Sequence, residues 1–115
     1  MWLVTTIGFF SIVEKEWDRK TNTLTVRARV RGDLDALREQ FLPELGSIVE
    51  SDTADYRFRA QVPRTAFAAA ISRMAEAIDY DNFKDAVEER QDHPRAAVYL
   101  RVWKVLERLQ GPSRR

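Results

Sequence analysis

Apolar and polar residues alternate along two segments near the N-terminus in the manner of β-strands. Residues 2–13 are rich in β-branched and aromatic side chains, which predicts one long strand with a bulge or close backbone approach at Gly8. In residues 23–31 the apolar set is Leu24, Val26, Ala28 and Val30, and the polar set is Thr25, Arg27, Arg29 and Arg31. This period of two predicts a half-buried strand, and the polar segment 14–22 makes a hairpin of the pair.

The middle of the chain predicts a helix followed by a second hairpin. Asp33 is a suitable N-cap, helical spacing follows it, and Pro43 and Gly46 end the helix. Residues 47–50 are a short strand candidate, and residues 56–62 alternate again. There the apolar set is Tyr56, Phe58, Ala60 and Val62, against Arg57, Arg59 and Gln61.

Three helices are predicted after the second hairpin. Pro63 opens the first, Asp79 or Asp81 caps a short second one, and His93-Pro94 opens the last. The resulting order, β-β-α-β-β-α-α-α, predicts an α+β two-layer sandwich with a four-stranded antiparallel sheet, broadly ferredoxin-like. We expect a single domain over residues 1–110 and a frayed tail over residues 111–115.

Composition excludes several kinds of chemistry. The 115 residues include no Cys and one His, which rules out disulfides, Cys-ligated metals, thiol nucleophiles and His-rich metal sites. No metal or cofactor is therefore expected. The apolar start lacks a basic n-region and is too short to span a membrane, so a cytoplasmic protein without a membrane partner is expected.

Common catalytic motifs are missing from the sequence. It has no phosphate-binding Gly-rich loop, no dinucleotide motif, no nucleophile elbow and no paired-His metal motif, which argues against an enzyme. One cluster of chemically useful residues remains as a candidate polar pocket near the last helices: Tyr80, Asn82, Lys84, Arg95 and Tyr99.

Arginine is the most informative residue of this chain. There are fifteen Arg and four Lys, while the net charge is only +1, so any cationic surface must be local. A bias in genomic composition is the favoured explanation of the total, and the placement of the arginines is a separate question. If the apolar faces of the strands meet the helices, the other sheet face carries Arg27, Arg29, Arg31, Arg57 and Arg59, with Phe9 beside them.

Such an arginine-lined face with an aromatic ring suits an anionic ligand or a single-stranded nucleic acid, because guanidinium groups meet phosphates and rings stack on bases. Two other interpretations stay open. The arginines can simply solvate the sheet and protect its edges. Alternatively, the protein is a homodimer in which the sheet face or the broad apolar face of the last helix forms the contact.

Four segments resemble a group of short, uncharacterised bacterial proteins of similar length. They are the strand Met1-Trp2-Leu3…Thr5…Gly8-Phe9-Phe10-Ser11-Ile12-Val13, the central Thr25-Val26-Arg27-Ala28-Arg29, Tyr80-Asp81-Asn82-Phe83-Lys84, and Tyr99…Val102-Trp103. This resemblance covers most of the chain. It implies a self-contained bacterial domain and no particular activity, and it draws attention to Tyr80, Asn82, Lys84 and Tyr99.

Overall fold

The structure is a computed structural model that describes residues 1–112. The chain divides into two compact units, Met1–Asp79 and Tyr80–Arg115, which are described separately below. The prediction of one domain over residues 1–110 stays a prediction. Most of the predicted tail, residues 113–115, lies outside the described residues.

The first unit contains an antiparallel sheet. Within the described residues it has five strands in the order β1-β2-β3-β5-β4. Its strands are β1 (Trp2–Val4), β2 (Phe9–Val13), β3 (Thr23–Ala28), β4 (Val49–Glu50) and β5 (Phe58–Pro63). The α+β prediction is confirmed, and the prediction of four strands is wrong.

The fifth strand arises because residues 2–13 form a hairpin instead of one long strand. The Thr5 hydroxyl donates to the Gly8 carbonyl at 2.8 Å and accepts the Gly8 N–H at 3.1 Å, which closes a turn between β1 and β2. The Asp33 carboxylate then accepts the Phe9 N–H at 3.0 Å. A Cβ at Gly8 would lie 2.5 Å from Asp33 Cγ, so the predicted close approach at this glycine is present. The side-chain contacts of this turn are not readable from apolar periodicity.

Two helices pack on one face of this sheet. They are α1 (Arg31–Gln40) and α2 (Arg64–Glu76). The shared core draws its side chains from alternate strand positions and from the inner faces of both helices: Phe10, Ile12, Leu24, Val26, Ala28, Ala60, Val62, Leu34, Leu37, Phe67 and Ala70. A helix layer on a sheet layer follows within this unit.

Two details of the predicted strands and helices are corrected here. The strand predicted over residues 23–31 ends at Ala28, and Arg31 is the first residue of α1. Asp33 lies inside α1, whose N-cap is Val30, and its carboxylate accepts the Phe9 N–H. The order of three strands before the first helix also departs from the strand–helix–strand start of a ferredoxin-like fold.

The second unit is a helical pair, α3 (Phe83–Arg90) and α4 (His93–Leu106). Asn82 caps α3 by accepting the Asp85 N–H at 3.0 Å, and Asp92 caps α4 by accepting the Arg95 N–H at 2.8 Å. Neither Asp79 nor Asp81 supplies the predicted cap of α3. Among residues 1–112, no helix combines the length and apolarity needed to cross a membrane.

Candidate anion-binding surface

The sheet face away from α1 and α2 is the candidate site, and we call it the open face. Its strand residues lie in the register opposite to the core set and include Trp2, Phe9, Ser11, Thr25, Arg27, Arg59, Gln61 and Val49. Trp17 and Tyr56 contact this face from the segments that precede β3 and β5. Two arginines of the predicted set therefore stand on neighbouring central strands.

Arg27 and Arg59 lie directly opposite each other in the register of β3 and β5. Like charges at opposed positions destabilise a sheet by about 0.2–1 kcal/mol. In the described part of the chain, neither side chain forms an ion pair with a carboxylate. The Nε atom of each is buried without a hydrogen-bond partner. This pair therefore lacks both a neutralising carboxylate and acceptors for its two Nε–H groups.

The ring of Tyr56 contacts two of the predicted arginines, Arg27 and Arg29. The guanidinium carbons of Arg27 and Arg29 lie 4.6 and 4.4 Å from the centroid of that ring. Arg27 Nη2 also donates to Ser11 Oγ at 2.7 Å, and Arg29 Nη1 donates to the Asp55 carbonyl at 2.9 Å. Cation–π stacking and neutral acceptors orient these guanidinium groups without neutralising them.

A row of aromatic rings continues from Tyr56 across the sheet. Its ring centroid lies 6.4 Å from that of Phe9, and Phe9 meets Trp2 edge to face at 5.5 Å. Trp2 is 68% exposed. Trp2 and Phe9 therefore lie on the same sheet face as Arg27, and the buried Tyr56 links them to the arginines.

Two arginines predicted for this face have carboxylate partners. Arg57 lies before β5, where Glu50 and Asp52 are 2.8 and 3.5 Å from its Nη2 atom. These carboxylates raise the pKa of Arg57. Arg31 lies on α1 and faces Asp35, with 3.6 Å between Nε and Oδ2. Of the predicted set, Arg27, Arg29 and Arg59 therefore lack an ion pair among the described residues, and Arg31 belongs to α1 instead of β3.

A buried carboxylate organises the other end of the open face. Asp18 accepts hydrogen bonds from Thr23 Oγ1 at 2.6 Å, Thr25 Oγ1 at 2.8 Å, Lys15 N–H at 2.8 Å and Gln61 Nε2 at 3.0 Å. Burial raises the pKa of Asp18, but these four hydrogen bonds outweigh burial and leave the pKa below its ordinary value. The ionised carboxylate therefore holds the Glu16–Asp18 turn against the sheet.

Trp17 is placed by this same turn. Its indole Nε1–H donates to Thr25 Oγ1 at 3.2 Å, while 53% of the residue stays exposed. The indole is one wall of a groove of about 380 Å³. The other lining residues are Thr25, Gly46, Ser47, Val49, Arg59, Ala60 and Gln61. We call this groove the Trp17 pocket.

The five residues of the polar pocket predicted near the last helices make several different contacts. The ring of Phe83 stacks on Tyr99 and is tilted against Tyr80, with centroid distances of 6.0 Å in both cases. Arg95 Nη1 donates to the Tyr99 hydroxyl at 3.3 Å. Asn82 serves as the α3 cap, and Lys84 Nζ lies 3.6 Å from Glu88 Oε2. Each of the five predicted residues thus has a contact that supports the helical pair.

Sequence reasoning missed the roles of three residues at the open face. Alternation predicts that Tyr56 is buried, which is confirmed, but not that it precedes β5 and packs under the arginines. Trp17 and Asp18 lie in the segment interpreted as a turn, whereas alternation already placed Gln61 on the polar side of its strand. The only signal for Trp17 and Asp18 was that an aromatic residue stands next to an acidic one inside a polar turn.

Comparison with known proteins leaves the site to be interpreted from its chemistry. No family model, curated protein or solved structure matches this chain.

Proposed function

We propose that the protein is a non-enzymatic binding module whose open face binds single-stranded nucleic acid. The observation that carries this proposal is the opposed pair Arg27 and Arg59, which lacks a carboxylate partner among residues 1–112. Two facing cations lower the stability of the sheet, and an anion that bridges them would restore it.

Aromatic rings beside the arginines favour a nucleic acid over a simple anion. Single strands expose bases that stack on aromatic side chains, while their phosphates meet cationic groups. Trp2, which is exposed, and Phe9 lie on one side of the pair, and the exposed Trp17 stands at the other end. Tyr56 is buried beneath the arginines and orients them rather than offering its ring to a base. Duplexes offer no such exposed bases, so we expect the open face to prefer single strands.

Fluorescence anisotropy with short single-stranded RNA and DNA at low and physiological salt tests the proposal. We expect binding that weakens steeply with salt, because phosphate contacts release counterions. On a single strand, each phosphate that a cation neutralises adds about 0.7 to the slope of log K against log salt. The double variant Arg27→Gln, Arg59→Gln should therefore reduce the magnitude of that slope by about 1.4.

Arg73→Gln is the matched control. It removes one positive charge from the same unit, as the single variant Arg27→Gln or Arg59→Gln does, but Arg73 lies on α2 and donates to the Phe41 carbonyl, away from the open face. This variant should keep the wild-type salt slope. Equal effects of the sheet and helix variants, or no binding even at low salt, would contradict the proposal.

The last helix favours a second candidate function, a homodimeric interaction protein. Val98, Trp103, Val105 and Leu106 of α4 are exposed by 57, 59, 56 and 55%. An exposed apolar helix face of this kind is typical of helix–helix contacts between copies of a chain. Sedimentation at micromolar concentration should show a dimer that Trp103→Asp dissociates, and a monomer in the wild type would exclude this candidate.

A further inference from the structure

The Trp17 pocket has a fixed aromatic wall. Asp18 holds the turn that carries Trp17, and the 3.2 Å hydrogen bond to Thr25 fixes the orientation of the indole. Since about half of Trp17 is exposed, its ring is accessible to a planar ligand without any rearrangement of the turn. Pre-ordered aromatic side chains lose little conformational freedom on binding, which favours stacking.

The same pocket has a cationic member. Arg59 lines it, forms no ion pair within residues 1–112, and uses Nη2 in a long 3.3 Å bond to the Tyr56 carbonyl. Its buried Nε lacks an acceptor. An anion bound at this guanidinium would supply the charge partner that Arg59 lacks. The nearby carboxylate of Asp18 is buried and fully engaged by its four donors, so it does not occupy Arg59.

We infer that the Trp17 pocket binds one nucleotide unit, with the planar base against the indole of Trp17 and the phosphate against Arg59. The volume of about 380 Å³ lies within the range of about 300–1,000 Å³ that small-ligand sites occupy. Gln61, which is exposed, supplies a polar group at the same site. The choice of a base with a phosphate is taken from the proposed function, on which this inference therefore rests.

An NMR titration of the Trp17 indole N–H signal tests the inference. Loss of one of the indole signals in Trp17→Phe identifies it. Adenosine monophosphate should shift the signal saturably, and adenosine or inorganic phosphate alone should bind at least about tenfold more weakly. Arg59→Gln should reduce the affinity for the monophosphate to that for adenosine, whereas Arg73→Gln should leave it unchanged. An unshifted signal, or equal affinities for monophosphate and adenosine, would overturn the inference.

Parallel anisotropy with a short oligonucleotide separates this inference from the proposed function. Oligonucleotide binding together with an indole signal that the monophosphate does not move would overturn the pocket alone. Saturable binding of the monophosphate without oligonucleotide binding would support the pocket as a mononucleotide site and overturn the nucleic-acid function.

Discussion

Replacing Arg59 by Met should stabilise the fold if this arginine is retained for binding. The variant keeps an unbranched apolar stem and removes the cation that lies opposite Arg27. Relief of the like-charge repulsion is worth about 0.2–1 kcal/mol. Removal of the buried Nε without an acceptor adds roughly 1 kcal/mol, and removal of the 3.3 Å bond to the Tyr56 carbonyl subtracts about 0.5–1 kcal/mol. The free energy of unfolding should therefore rise by about 1 kcal/mol.

Urea unfolding followed by circular dichroism measures this change, with the midpoint shifted and the denaturant slope preserved. The gain should shrink at high salt, because salt screens the repulsion that the variant removes. Arg64→Met is the control, since Arg64 forms an ion pair with Glu14. This control should lower stability by up to about 1 kcal/mol, with the deficit shrinking at high salt. A fall in stability of about 1 kcal/mol or more in Arg59→Met would refute the reasoning and make Arg59 a structural residue.

Three further predictions concern the parts of the fold that support the site. Asp18→Ala should lower the free energy of unfolding by about 3 kcal/mol, because the donors to the carboxylate lose a charged acceptor. Since the pKa of Asp18 is lowered in the folded state, its stabilising effect is complete above the unfolded value of about 3.8 and is lost as the pH falls through the folded pKa. Asp18→Asn should flatten that part of the curve of stability against pH, and an unchanged curve would contradict this assignment. Gly8→Ala should lower the free energy of unfolding by roughly 1–3 kcal/mol, because the new Cβ would lie 2.5 Å from Asp33 Cγ. Gly32→Ala is the control and should not destabilise the protein, because the nearest atom to its new Cβ is 3.9 Å away. Equal effects of the two variants would argue against the close approach at Gly8. Asn82→Ala should reduce the helical circular dichroism or thermal stability of the second unit by the roughly 1 kcal/mol of an N-cap, and an unchanged melting curve would show that the cap is not stabilising.

Alternation located the central strands because their core side is consistently apolar. Leu24, Val26 and Ala28 are buried, and Arg27 lies on the opposite face as predicted. The start of the last helix was also well marked, since this helix begins at His93, where Pro94 at the next position fits a first turn. These features depend on local sequence, which is why they can be read from it.

Features that depend on distant partners could not be predicted. The split of residues 2–13 rests on the Thr5 turn and on Asp33, which lies 24 residues from its partner Phe9. Likewise, Gln61 reaches Asp18 across 43 residues, and the position of Tyr56 under two arginines follows from where β5 begins. Alternation predicted that arginines line this sheet face. It did not predict which arginines do so, because that depends on strand lengths that alternation alone overestimates.

A chemical-shift map of the ¹⁵N-labelled protein with a short single-stranded oligonucleotide at low salt would show directly whether the open face binds nucleic acid. We predict that the largest changes occur at the amides of Ser11, Arg27 and Arg59 and at the indole of Trp17. Changes confined to α4, or no changes at all, would contradict the assignment of the open face as a nucleic-acid-binding surface.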